Sequence, residues 1–123
     1  MQQINKIEVC SSQNMLVAGT EDSKIRFFDL NSNKLINSVI GHSDSVTSLR
    51  SLAIQGQPNL IVSGGHDGSV RVWDIRNFQL LHDMSVHRRK YDEGTLALAS
   101  CPTLPLLASG GADSIVKVIN TGF

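Results

Sequence analysis

His42, Ser63 and Asp67 supply the residue types of a hydrolytic triad, in which serine attacks, histidine moves its proton and aspartate orients the imidazole. That chemistry needs a serine facing a cleft, with an oxyanion donor beside it. The nucleophile elbow that often presents such a serine, Gly-x-Ser-x-Gly, is absent from the chain. Gly64-Gly65-His66-Asp67-Gly68 has the glycine density of a phosphate loop, but no Lys-Ser/Thr follows it and no helical pattern opens after it. The four histidines, His42, His66, His82 and His87, are metal-ligand types. None forms His-Glu-x-x-His, and no Cys-x-x-Cys accompanies them. The residues therefore predict no catalytic centre, no cofactor and no metal.

The elements that must position these residues emerge from internal repetition, the first property to test in a sequence. Met15–His42 aligns with Leu60–His87 at an offset of 45 with no gap. Val17, Gly19, Asp22, Arg26, Asp29, Leu35 and His42 fall on identical residues at 62, 64, 67, 71, 74, 80 and 87. A third copy follows at an offset of 46, placing Ser63, Gly64, Asp67, Val70 and Val72 on Ser109, Gly110, Asp113, Val116 and Val118. Within each copy, short apolar runs ending in glycine alternate with β-branched or aromatic runs, separated by tight-turn sequences such as His66-Asp67-Gly68-Ser69. No helical period is evident. The pattern predicts an all-β chain of four-stranded antiparallel meanders, the last lacking its fourth strand, over residues 4–40, 46–86 and 95–120. A meander with two apolar faces needs a neighbour on each side, which is the logic of a propeller blade.

Composition narrows the function class. The chain has 123 residues, enough for one domain, with 41% hydrophobic and 18% charged residues. Eleven basic residues balance eleven acidic ones, which argues against general attraction to nucleic acid or anionic membranes. No apolar run approaches the ~18 residues of a membrane span, and the opening residues 1–6 contain no signal core. Cys10 and Cys101 occupy matching places two repeats apart, so two free thiols and a reducing, cytoplasmic compartment are expected.

Gly41-His42, then thirty residues, then Trp73-Asp74 resembles the WD-repeat signature, and Ser63-Gly64-x-x-Asp67-Gly68 and Val70-x-Val72-Trp73-Asp74 fall in its order and spacing. The first and third copies depart from it, with Phe28-Asp29 and Ile119-Asn120 at the Trp-Asp position and Ala18 at the strand serine. Residues 86–94, Ala108–Asp113, Val116–Val118 and Glu21–Asp29 further resemble the C-terminal part of the striatins, scaffolds and regulatory subunits of protein phosphatase 2A. Their C-terminal half is a WD-repeat propeller, and their coiled coil and calmodulin-binding segment lie upstream.

The resemblance implies a partial propeller of three blades, the last three of a larger architecture or a fragment of a longer product. It implies a buried relay in which Asp67 holds His42, His42 meets Ser63 and Ser63 meets the Trp73 indole. A shorter relay of His87, Ser109 and Asp113 would lack the tryptophan. It further implies a partner-binding face including Glu21, Ser45, Thr47, His66 and Ala112. The segment His87-Arg88-Arg89-Lys90-Tyr91-Asp92-Glu93 is either a solvated loop whose charges largely cancel or a docking loop on that face, with Arg88, Arg89, Lys90 and Tyr91 as contacts. The function so implied is a non-catalytic protein scaffold, its partners being components of a phosphatase–kinase assembly, with no nucleic acid. A generic WD-repeat adaptor in ubiquitin-ligase or trafficking complexes, or a fragment without independent function, remains an open alternative. Three blades leave two apolar faces to be covered by a partner, a second copy or further residues.

Overall fold

The computed structural model describes residues 3–10, 14–54, 57–85, 87, 94–100 and 106–120, with backbone alone at 52–54 and 57–59. Three antiparallel sheets follow one another along the chain. The first contains β1 (Ile4–Cys10), β2 (Met15–Thr20), β3 (Lys24–Asp29) and β4 (Leu35–Ile40). The second contains β5 (Val46–Ile54), β6 (Gln57–Gly65), β7 (Ser69–Asp74) and β8 (Gln79–Ser85). The third contains β9 (Thr95–Ser100), β10 (Leu106–Gly111) and β11 (Val116–Asn120), and among the described residues has three strands. Each strand pairs only with its sequence neighbours, so every sheet is a meander. The first strands β1, β5 and β9 approach one another and form the inner edge of the blades.

Turn chemistry fixes each β2–β3-type hairpin. The third turn residue is left-handed in all three copies, at Ser23 (φ 69), Gly68 (φ 83) and Ser114 (φ 66). Only at position 68 is glycine also needed for space, because a Cβ there would strike the carbonyl oxygen of His87.

Alternation along the strands builds two cores. Val17, Ile25 and Phe27 of the first blade pack with Val46, Leu49, Ile61 and Trp73 of the second. Leu60, Val62, Val70 and Val72 point the other way, onto Leu98 and Leu107 of the third blade. Phe78 joins the first core edge-on to Phe27, with ring centroids 4.9 Å apart. Phe28, on the opposite face of β3 from Phe27, is only half-buried. Cys10 is a free thiol inside the first core. Burial, assisted by the negative Glu8, pushes its pKa up to about 11, so it packs as a small apolar group. Cys101 lies outside the described residues.

Candidate functional site

The Ser-His-Asp set of the second blade is assembled by three segments: the loop before β5, strand β6 and the β6–β7 turn. His42 Nε2 lies 2.8 Å from Ser63 Oγ, and His42 Nδ1 lies 3.0 Å from Asp67 Oδ1. The Trp73 indole N–H donates to Ser63 Oγ at 2.9 Å. An indole nitrogen can only donate. Ser63 therefore accepts from Trp73 and gives its own proton to Nε2, leaving Nδ1–H to donate to Asp67. This proton order matches that of a hydrolytic triad.

Access is what differs. Ser63 and His42 have no solvent exposure, and the indole occupies the serine lone-pair side on which a nucleophile would need freedom. Asp67 also accepts the amides of Ser43 and Ser69, each at 3.0 Å. Burial works to raise its pKa, but the His42 hydrogen bond and the two amides outweigh burial and hold the carboxyl well below its ordinary range. The arrangement ties the loop at 42–43 to the β6–β7 turn.

The third blade repeats the device. His87 Nδ1 stands 3.0 Å from Asp113 Oδ1, and Nε2 stands 2.8 Å from Ser109 Oγ. Ile119 occupies the tryptophan position and is partly buried against the second core. In the first blade, Ala18 replaces the strand serine and the turn Asp22 is engaged locally, by the Thr20 hydroxyl and by Arg26 Nη2 at 3.0 Å.

The face residues separate into two groups. Glu21, Ser45, Thr47 and His66 line one cleft of about 430 Å³ at the seam between the first and second blades, joined by Asn5 and Asp44. Ser45, expected on an exposed face, is itself buried because the Asn5 amide covers its hydroxyl at 2.9 Å. Thr47 Oγ1 is occupied by the carbonyls of Gly64 (3.0 Å) and Thr95 (2.5 Å), so it stitches blades together. Asp44 Oδ1 accepts the Ser45 amide at 2.7 Å, which leaves Glu21 and His66 as the cleft's chemically available groups. The buried Nδ1 of His66 has no partner among the described residues. Ala112 lies at the matching turn of the third blade, where its amide donates to the Gly94 carbonyl at 2.8 Å. Arg88, Arg89, Lys90 and Tyr91 lie outside the described residues.

Asn5 and Asp44 were not singled out from sequence. Asp44 sits between two serines in a short loop, which is the only local signal, and Asn5 enters through a contact across 40 positions. Among the described residues, no group of three or more His, Cys, Asp or Glu is placed to hold a metal ion. No described helix is long and apolar enough to cross a membrane.

The family model for the WD domain, G-beta repeat, matches residues 33–74 and 78–120. The chain belongs to the WD-repeat family. Its WD repeats are similar to those of a striatin homolog from Dictyostelium discoideum, with 42% identity over 96% of this chain and 14% of that protein. Striatin-4 of Mus musculus is 35% identical over 94% of this chain and 15% of its own length, and human striatin is 34% identical over 94% and 14%. The chain is thus a striatin-like WD-repeat region spanning about one-seventh of the length of these curated relatives. Among solved structures, the computationally designed Ika8 protein superposes with a TM-score of 0.78 at 30% identity, over 96% of this chain and 33% of that one. The designed Ika4 protein gives 0.77 at 28% identity, over 98% and 67%. The open, three-sheet WD-repeat architecture is accordingly a partial propeller.

Proposed function

We propose that this chain is a non-catalytic, cytoplasmic protein-interaction scaffold whose partners are components of a phosphatase–kinase assembly. The observation that carries the reading is a contrast between two polar sites. Both sets of residues with the types and proton order of a hydrolase have their serine and histidine buried, Ser63 and His42 at zero exposure, while the cleft across two blades is an open polar site. The relay holds the His66 turn rigid, so the cleft offers a fixed arrangement of acidic and imidazole groups. Such a site suits a partner that brings a basic or hydrogen-bonding side chain. The striatin likeness over most of the chain supports the choice of assembly.

The test immobilises the chain and offers purified phosphatase 2A subunits, striatin-associated kinases and cullin adaptors in parallel. Capture of phosphatase or kinase components, lost in the Glu21→Ala/His66→Ala double variant, is the expected result. Capture of cullin adaptors alone would transfer the chain to the generic adaptor class. Labelling of Ser63 by a phosphonylating probe on the folded chain would overturn the non-catalytic reading.

A further inference from the structure

The cleft at the first seam carries a hydrogen-bond imbalance that says what it can hold. Its wall on the first blade is Asn5 and Glu21, and Asp44, Ser45, Thr47 and His66 form the other. Most donors on these walls are spent inside the fold. Both hydrogens of the Asn5 amide go to Ser45 Oγ and the Val46 carbonyl, each at 2.9 Å. The Thr47 hydroxyl turns to the carbonyls of Gly64 and Thr95. The acceptors are not spent. Asn5 Oδ1 and the exposed Glu21 carboxylate have no partner among the described residues. Asp44 adds a second negative charge, although its Oδ1 already accepts the Ser45 amide at 2.7 Å. No lysine or arginine is among the described lining residues. An open cleft of about 430 Å³ with two carboxylates and no cation of its own attracts a positively charged group.

His66 supplies the opposite polarity. Its Nδ1 is buried without a partner among the described residues, so Nε2 is the ring nitrogen that the cleft reaches. A proton on Nδ1 would be a buried donor with nothing to accept it, so the neutral ring carries its hydrogen on Nε2. The first-blade wall thus accepts, and the imidazole of the second-blade wall donates. The next seam lacks this pairing. There Thr47 and His66 take the places of Asn5 and Glu21, and strand register puts Leu96 and Ala112 where Thr47 and His66 stand at the first seam. None of those four residues is acidic, so the chemistry belongs to the first seam.

We propose that the cleft takes an arginine residue of a partner protein, its guanidinium received by Glu21 and Asn5 Oδ1 and its main-chain carbonyl by the His66 Nε2–H. This choice of side chain rests on the role of the cleft as a partner site proposed above. Arginine fits better than lysine for a geometric reason. A guanidinium spreads five N–H donors in one plane and serves two separate acceptors at once, whereas an ammonium is a compact point charge. It is also more weakly hydrated, so leaving water costs it less.

The test is titration of the isotope-labelled chain with the peptide acetyl-Gly-Arg-Gly-amide, followed by amide chemical shifts. Saturable shifts at Glu21 and His66 are expected. The same peptide with citrulline, the neutral isostere of arginine, should leave them in place, and the lysine peptide should bind several-fold more weakly. Glu21→Gln changes an exposed turn residue, so it keeps the wild-type spectrum while the arginine peptide binds about tenfold more weakly, the worth of a hydrogen bond to a charged group. Absent shifts, equal binding of the citrulline or lysine peptide, or binding that Glu21→Gln leaves intact would each overturn the proposal. The scaffold reading fails separately. Capture of phosphatase or kinase components by a chain that ignores the arginine peptide overturns the arginine assignment alone. A saturable, Glu21-dependent response to arginine with no assembly component captured supports the assignment and overturns that choice of partners.

Discussion

The second and third blades build the same turn clamp and finish it differently. In both, a histidine links a strand serine to a turn aspartate at nearly identical distances, 2.8 and 3.0 Å. In the second blade the serine also takes an indole proton; in the third an isoleucine fills that place. The cores explain the exchange. Trp73 faces a seam furnished by Phe27, Phe78 and Ile25, whereas Ile119 faces the aliphatic residues Leu60, Val62, Val70 and Val72. The histidine–aspartate clamp therefore belongs to the turn, and the aromatic cap belongs to the seam behind it. The same two blades also differ at their outgoing glycines: Gly64 is pressed by the next blade, whereas among the described residues a Cβ at Gly110 would meet nothing within 4 Å.

The largest effect is expected where that glycine contrast is broken. Gly64→Val drives a side chain into Ser48 and Thr95, with the Cβ alone 2.5 Å from Ser48 Oγ and 2.8 Å from Thr95 Cγ2. Overpacking against two strand residues is expected to cost about 3 kcal/mol, read as a large drop in the urea midpoint. The same midpoint in Gly64→Ala should fall less, in proportion to the smaller intrusion.

Next in size is Asp67→Ala, which strands the His42 Nδ1–H and the Ser43 and Ser69 amides. The expected cost is about 1–3 kcal/mol. Asp113→Ala should fall toward the lower end of that range, because the turn it holds is more exposed and water can replace its partners. An unchanged midpoint in Asp67→Ala would remove the clamp from the account. The clamp also sets a pH dependence. The folded pKa of Asp67 lies below its unfolded value of about 3.9, so the stabilisation is complete above about pH 4 and is lost as pH falls through the folded pKa. Asp67→Asn should flatten that acid limb.

Much of this architecture is legible in the sequence because a repeat states the same pattern three times. The repeat predicts consecutive antiparallel meanders, and the sheets of the structure follow that order. The seams were harder to read. Alternation along β6 tells that Ile61 and Val62 face opposite ways, but nothing local says which strand each meets. Gly19, Gly64 and Gly110 look alike in the sequence, and only the neighbour pressing on two of them separates the third. The cleft was partly legible for the same reason. Glu21 and His66 follow from turn equivalence, whereas the covering of Ser45 by Asn5 depends on packing between blades.

The smallest and sharpest change is Trp73→Phe, which gives the second blade a relay like that of the third. The phenyl ring keeps most of the packing against Phe27 and Ile25 and removes the N–H that Ser63 accepts. Ser63 still gives its proton to His42, so the clamp on Asp67 survives. The expected loss is about 1 kcal/mol, the worth of one ordinary hydrogen bond, with the acid limb from Asp67 unaltered. A loss as large as that of Asp67→Ala, or an altered acid limb, would mean that the indole and the clamp act as one unit. The comparison between the blades would then fail, since the third blade holds its turn without an indole at all.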